Sequence, residues 1–531
     1  MKKHNISKVV LVTMLVFMIL TWILPAAYYS GEYTDQGRVQ MGLFDLFNYP
    51  LTALSYFGYI AFFVILVGGF YGILYKIPAY RIFLDKIVDA VKGKEKVVLS
   101  ILVIVNALIV SICGFQFGLA LFIPFIISLI LLMGYDKMVA AFVTIGSICA
   151  GLIGTTYAQS NIGILMSAFS LKLDYQIGVR FVILAVAIVL VVFNMLMYIK
   201  KGETEIKIEK KPVKKSEDSI EKKTVISKKP AAKSTSSKST RVTKTSSKGT
   251  TSRTKKNNNK AALKDEDIIV VKETLIKGNE FIPHTVNIKQ PILPITIILG
   301  LMFVLFILAF IPWGESGFGI KLFEDVTKGF QEMKIFGFPL FSKLFGTINA
   351  FGNWNITDMF LPMALVICLL SFIYKISIDD IFDGFKKGVR VALAPAGIVI
   401  LIYSILVLVT YHPFQLTIYK AILGLSKGFN IFTTVIVAML AGLFNSDATY
   451  SFQSIAQYYV SVVNNVKSYG VNAVIFQSMY GLTMLVAPTS LVLMATLSYL
   501  GISYKSWIKS VWKLLMELFI ILLIVFIILT I

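Results

Sequence analysis

Cysteine and histidine are nearly absent from this chain of 531 residues, which has three of each. Cys113, Cys149 and Cys368 all fall in apolar runs without ligand-like spacing. That pattern supports neither a disulfide framework nor a metal site, and the three read as small core hydrophobes. There is no HExxH, no GxSxG and no nucleotide-binding loop, so the chain does not read as an enzyme and implies no cofactor. Acidic residues are also scarce, 29 against 51 Lys and Arg, for a net charge of +22. Their distribution argues against reading that excess as a nucleic-acid surface. Between Lys200 and Lys264, 21 Lys and Arg face six Asp and Glu, a local net of +15.

That basic stretch is rich in Lys, Ser, Thr and Asn and almost without aromatics. It cannot bury enough apolar surface to offset its ordering entropy, so residues 200–289 are expected to form a disordered cytoplasmic linker attracted to anionic lipid headgroups. Nucleic acid is a less favoured partner. The linker divides a membrane half at 1–199 from a second at 290–531.

The whole chain is 56% hydrophobic, and outside the linker it contains apolar runs near the ~20 residues that cross a bilayer. Hydropathy places spans at Lys8–Tyr29, Thr52–Tyr75, Val97–Cys113, Leu119–Met133, Met138–Phe169 (broken) and Gly178–Tyr198. After the linker follow Pro291–Trp313, Met359–Tyr374, Val391–Tyr411, Phe432–Phe444, Ala473–Tyr499 (broken) and Val511–Ile531. The first run ends in PAA like a signal-peptide cleavage site, but it exceeds the usual ~7–15-residue apolar region of a signal peptide and reads as a span. Lys2, Lys3, the Lys76–Lys96 loop, the linker and Lys386–Arg390 put the N-terminus and linker in the cytoplasm by the positive-inside rule, and residues 31–50 outside. The sequence is therefore expected to be an all-α polytopic protein of a cell membrane, read as a bacterial plasma membrane. Ile65–Ile87 parallels Leu365–Phe385, each a helix ending in YKI before an amphipathic segment, which points to two repeat halves, direct or inverted. Phe318–Phe351 carries apolar residues at helical spacing and is expected at the membrane interface.

Three polar islands interrupt apolar runs: GTTYAQSN at Gly154–Asn161, FNSDATYS at Phe444–Ser451 and APTS at Ala487–Ser490. In hydrocarbon an unsatisfied polar group costs several kcal/mol, so such breaks survive only when buried in protein or lining a cavity, and paired broken helices mark a carrier's binding site. Thr155, Thr156, Gln159, Ser160 and Asn161 offer hydroxyls and amides suited to Na⁺ or to a zwitterion's polar ends; interhelical hydrogen bonding is the plainer use of the same groups. Asp447, with Asn445, Ser446 and Thr449, would be a proton carrier, a cation ligand or a counter-charge, or else the cap of a helix over Ala448–Val463. Thr489 and Ser490 would receive a carboxylate at a half-helix end, and Gln477 lies on the approach to them. A coupling Na⁺ would sit near Thr156, Asn161, Asp447 and Thr489. GFQFG at Gly114–Gly118 is either a hairpin tip dipping into the membrane, with Gln116 its polar group, or an external turn. His412 reads as an interfacial residue.

TWILPA in the first span, PFIISLILLMGYDKMVAAFVTIGSICAGLIGT and FQSMYGLTMLVAPTSLVLMATLSYLGISYKSWIK at Phe476–Lys509 resemble the YfcC-like C4-dicarboxylate and basic amino-acid carriers of the ion-transporter superfamily. The resemblance covers most of both halves. It implies an elevator-type fold with a scaffold, a moving domain, two re-entrant hairpins and two broken helices, in a homodimer. The chain departs from the family pattern in having Gln116 for an acid, Tyr157–Asn161 for an Asn-Pro-Phe motif, and Asp447 in a tip of small residues. These readings converge on a secondary active transporter of a small carboxylate-bearing metabolite, an amino acid or dicarboxylate, coupled to Na⁺ or H⁺ or acting as an exchanger. The competing reading is a membrane-anchored scaffold acting through the polybasic linker. Deleting Lys201–Asp265 separates the two: a carrier is expected to keep most of its flux in a liposome uptake assay, whereas a scaffold loses its partner in a pull-down.

Overall fold

Apolar length becomes helix almost everywhere in the computed structural model, which describes residues 5–114, 117–209, 280–284, 290–314 and 317–531. Among these residues eight helices are long and apolar enough to cross a membrane. In the first half they are α1 (Asn5–Ile23), α2 (Asp45–Leu74), α4 (Glu95–Cys113) and α9 (Ile177–Glu209), with the short α3 (Pro78–Ala90) after α2. In the second half they are α10 (Leu293–Phe310), α13 (Phe360–Ile373) with the short turn before it, α14 (Ile378–Tyr411) and α21 (Tyr504–Thr530).

The stretches expected to be short or broken are so. The first half has α5 (Ile123–Leu132), α6 (Lys137–Ala141), a π-helical turn, α7 (Ser147–Ile153) and, after a gap, α8 (Gln159–Ala168). After α14 come α15 (Gln415–Leu423), α16 (Ile431–Phe444), α17 (Ala448–Gln453), α18 (Ala456–Val463), α19 (Tyr469–Met484) and α20 (Leu491–Leu500). Pro488 enforces the gap between α19 and α20, because it lacks an N–H and disfavours helix in the residue before it.

Four local expectations are corrected. The first span stops at Ile23, since Pro25 ends it, and Ala26–Tyr29 pairs with Tyr33–Gly37 as a two-stranded antiparallel hairpin. The helix expected over Ala448–Val463 is two helices, α17 and α18, separated at Ser454–Ile455. Cys113 and Cys149 are buried, but Cys368 is exposed. His412 is also buried: its Nε2 meets Tyr49 Oη at 2.5 Å and its Nδ1 meets the Val39 carbonyl at 2.7 Å, so it braces the loop after the hairpin. The amphipathic stretch Phe318–Phe351 contains α11 (Leu322–Glu332) and α12 (Leu340–Phe345). Linker residues 210–279 and 285–289 lie outside the described residues; Phe281 and Ile282 are packed against the membrane helices.

The longest helices, α2 and α14, meet through small residues. A Cβ on Gly72 would sit 2.1 Å from the Gly384 carbonyl oxygen, and one on Gly388 would sit 1.9 Å from that of Gly68. Without a hydrophobic drive between helices in lipid, close backbone approach of this kind supplies the packing that holds them. Beyond the crossing, Lys76 bridges to Asp383 at 2.6 Å and Asp380 at 3.3 Å, joining the two YKI loops. Gly388→Ala is expected to cost about 1–3 kcal/mol by overpacking, read as a lowered thermal midpoint in detergent. Gly397→Ala on the same helix meets nothing within 4 Å and should leave the midpoint within error.

Candidate functional site

The gaps leave backbone groups exposed at membrane depth, and each gap has its own partners. In the first, the Ser111 carbonyl near the end of α4 accepts from the amides of Thr156, Tyr157 and Ala158 at 2.9, 3.2 and 3.3 Å. Ser111 Oγ donates to the Gly154 carbonyl at 2.7 Å. On the other side stands Arg180, fully buried in the first turn of α9. Its guanidinium donates to the carbonyls of Thr155 (2.9 Å), Thr156, Leu173 (2.8 Å) and Tyr175 (3.0 Å), and lies 4.3 Å from the centre of the Tyr175 ring. Tyr175 Oη donates to Gln477 Oε1 at 2.7 Å, and Gln477 Nε2 returns to the Thr155 carbonyl at 3.2 Å. Gln477 belongs to α19, so this network ties the first broken helix to the second. The two touch at Gly481, where a Cβ would lie 2.4 Å from the Ile153 nitrogen.

In the second half the carbonyls freed at the end of α19 are taken up by α21. Trp507 Nε1 donates to the Leu485 carbonyl at 2.9 Å and Tyr504 Oη to that of Val486 at 2.5 Å. Thr489 Oγ1 donates to the Leu443 carbonyl at 2.7 Å, fastening the α16–α17 turn to the α19–α20 gap.

Between these gaps lies a cavity of about 170 Å³. It is lined by Ser160 and Asn161 from the first island, Ser446, Asp447 and Thr449 from the second, and Ser490 from the third, with Tyr480 and a few apolar residues completing it. The structure thus brings three islands, more than 300 residues apart in sequence at their extremes, to one place. Gly114, at φ +79°, packs so close that a Cβ there would lie 2.2 Å from Ser160 Oγ and 3.1 Å from Asn161 Oδ1. The end of α4 therefore borders the same residues.

The other candidates are placed elsewhere. Thr155 Oγ1 turns back to the Leu152 carbonyl (2.9 Å), Thr156 Oγ1 meets Ser111 Oγ (2.9 Å), Asn445 Nδ2 donates to the Ala441 carbonyl (2.9 Å), and Gln477 and Thr489 serve the gaps. These groups hold the breaks and do not line the cavity. Gln159 is half-exposed on the first turn of α8 and also lies outside the lining; Gln116 lies outside the described residues. The four residues grouped for a Na⁺ are accordingly split: Asn161 and Asp447 line the cavity, while Thr156 and Thr489 are engaged with Ser111 and Leu443.

Two buried polar atoms in the lining, Asn161 Nδ2 and Ser446 Oγ, have no hydrogen-bond partner among the described residues. A buried donor left unpaired costs about 1–3 kcal/mol, so a ligand or water that satisfies both gains that amount. Ser490 caps α20, its Oγ accepting from the Leu493 amide at 3.3 Å, and α8 and α20 both begin at the cavity. Their N-terminal amides and dipoles favour an anionic group. Asp447 is the one carboxylate in the lining among the described residues, and no Lys, Arg or His joins it there. It caps α17 by accepting from the Tyr450 amide at 3.1 Å, and no Lys, Arg or His pairs with it among the described residues. The cavity can hold a small solute with an anionic end on the helix N-termini and a positive charge on Asp447; the oxygens of Asp447, Ser446 and Asn161 are the groups that could take up a monovalent cation.

The sequence reading missed Arg180, Tyr175, Ser111 and Tyr480. Arg180 carried a usable signal, a charge two residues inside an apolar span, which marks an intramembrane group with a specific partner.

A family model, that of the C4-dicarboxylate anaerobic carrier (DcuC), matches residues 4–245 and 284–531. No curated protein and no solved structure matches the chain.

Arg180→Lys keeps the charge but cannot span the same four carbonyls. Each buried acceptor it abandons costs about 1–3 kcal/mol, so the variant is expected to melt at lower temperature and to expose the 154–158 gap to cysteine-directed labelling in an A158C background, which the parent resists.

Proposed function

Because the chain belongs to the C4-dicarboxylate anaerobic carrier family, a family of membrane transporters, we propose that it is a secondary active carrier of a small carboxylate-bearing solute. The observation that carries this reading is the cavity where all three polar islands meet, with unpartnered donors and a lone carboxylate. Its size accounts for roughly five or six waters at ~30 Å³ each, which suits a small metabolite.

The solute's carboxylate is received at the start of α20 by Ser490 and by the Asn161 amide, with Ser446 and Ser160 as further hydroxyl donors. An ionised Asp447 in the same cavity opposes that anion. Two like unit charges 4 Å apart repel by about 4 kcal/mol at an effective dielectric of 20, close to a thousandfold in affinity. No lining residue offsets that term, so a positive charge must enter with the solute as H⁺, Na⁺ or the solute's own amine. The requirement ties solute movement to cation movement, which is what a coupled carrier or exchanger needs. A dicarboxylate, as the family's description names, meets this constraint more severely than a monocarboxylate does.

The paired gaps, each tied to a neighbouring helix turn, support an elevator-type arrangement in which the α4–α5 and α16–α17 segments act as re-entrant hairpins around the site. In this reading α2 and α14 belong to the static frame of a homodimer, and the N-terminus and the basic linker face the cytoplasm of a bacterial cell, with the linker held near anionic headgroups.

The test is uptake into proteoliposomes of labelled dicarboxylates and amino acids, with imposed Na⁺ or H⁺ gradients and with solute preloaded inside. Gradient-driven or exchange-driven accumulation of one solute is expected, and folded protein that accumulates none overturns the reading. Asp447→Asn is expected to abolish gradient-driven accumulation while leaving the protein folded; unaltered uptake at every pH would remove Asp447 from the transport cycle.

A further inference from the structure

Three cavities follow one another along α20. At its start, Leu491 and Val492 line the candidate site and also a second cavity of about 80 Å³, whose other walls include Phe63 and Val67 of α2 and Pro395 and Val399 of α14. At its end, Tyr499 lines that second cavity and a third, of about 380 Å³, and Gly68 of α2 is shared by the same two. One helix of ten residues therefore runs beside all three, from the third polar island to the side where Lys76 of the first YKI loop lies.

The cavities differ in character. The second is walled by apolar side chains apart from Thr496 and Tyr499, and has room for about two or three waters at ~30 Å³ each. The third is basic: Lys76, Lys387 and Arg390 line it against one carboxylate, Glu280. Lys76 also meets Asp383 at 2.6 Å and Asp380 at 3.3 Å, and Lys387 meets Asp383 at 2.9 Å. Arg390 pairs with no carboxylate among the described residues.

One wall of the third cavity belongs to no helix. It is made by Glu280, Ile282, Pro283 and His284 at the end of the linker, and it is fastened at two carbonyls. That of Phe281 accepts from Ser128 Oγ of α5 at 2.6 Å and from Tyr75 Oη, just after α2, at 3.1 Å; that of Pro283 accepts from Arg81 Nη1 of α3 at 2.9 Å. The Phe281 ring is buried, 4.9 Å from the ring of Tyr499.

A basic cleft concentrates anions, and a narrow apolar constriction holds a charged solute back until its walls part. We propose that the third cavity is the vestibule through which an anionic solute passes between the site and the linker side, that the second is the closed apolar neck between them, and that residues 280–284 are the vestibule's lid. This rests on the carrier reading and adds a route and a gate to it.

The test needs no knowledge of the solute. Val391, which lines the vestibule and takes no part in fastening the lid, is changed to cysteine in the full-length chain carrying Cys368→Ser. Membrane vesicles of known sidedness are then labelled with two impermeant methanethiosulfonates, one bearing a sulfonate and one a trimethylammonium. After correction for their rates with a small thiol, the sulfonate is expected to react about tenfold faster, the low end for a charged cleft, and from the linker face alone. High salt should shrink that preference, and Arg390→Gln should remove most of it. Phe281→Ala should raise both rates, as should Ser128→Ala, which removes one donor to the Phe281 carbonyl; thermal midpoints check that the variants are folded. Equal rates for the two reagents, labelling from the opposite face, or rates that ignore both lid variants overturn the vestibule, and solute uptake that persists in the same vesicles then leaves the carrier reading standing. If labelling follows the expected pattern but folded protein accumulates no solute, the carrier reading falls and the route falls with it.

Discussion

Every helix that breaks inside hydrocarbon must find partners for the amides and carbonyls it frees, and most of this structure answers to that requirement. Water cannot satisfy those groups at membrane depth, so the protein must. The first gap recruits Ser111 from α4 and Arg180 from α9; the second recruits Tyr504 and Trp507 from α21. The second broken helix also lends Gln477 and Ser478 to the carbonyls of Thr155 and Ile153. The gaps are therefore stabilised by each other, and the helices beside them are positioned by the gaps.

That interdependence explains where the small residues fall. Gly151 faces the Ala107 carbonyl, Gly154 faces Leu184, Gly481 faces Ile153 and Gly442 faces Thr483, each at a distance no larger side chain would permit without displacement. These are contacts between the elements that exchange hydrogen bonds across the gaps. A hydrogen bond between a side chain and a neighbouring backbone requires the two helices to approach closely, and glycine is what lets them. Packing and polar satisfaction are two aspects of one arrangement.

The parts legible in the sequence were those with a large energetic signature. Apolar runs near the thickness of a bilayer gave the spans, and polar residues inside them marked the three islands. Which hydroxyl borders the cavity was not legible, because it turns on the neighbour each meets: the Leu152 carbonyl for Thr155, and the Cys113 carbonyl at 3.4 Å beside the cavity for Ser160. Arg180 was passed over because a cation near the start of a span resembles an interfacial flank, yet its burial gives it a structural role at the gap. The end of the first helix was a matter of local chemistry, where the apolar run continues through Pro25 but the backbone does not.

Two charges near the gaps, the buried Arg180 and the half-buried Asp447, separate structure from function. Arg180 donates to four carbonyls, stacks on a ring, and leaves no group seeking a further partner. Asp447 accepts from backbone amides at the start of a short helix and keeps a charge that no cation meets. A half-buried charge without a partner costs more to hold than one cap contributes, so a group arriving from outside that pairs with it stabilises the site. The same logic applies to Asn161 Nδ2 and Ser446 Oγ, the unpartnered buried atoms of the same cavity. Around the gaps nearly every polar group is spoken for by the protein. Asn161 Nδ2, Ser446 Oγ and the Asp447 carboxylate are left over in one small space at the N-termini of α8 and α20.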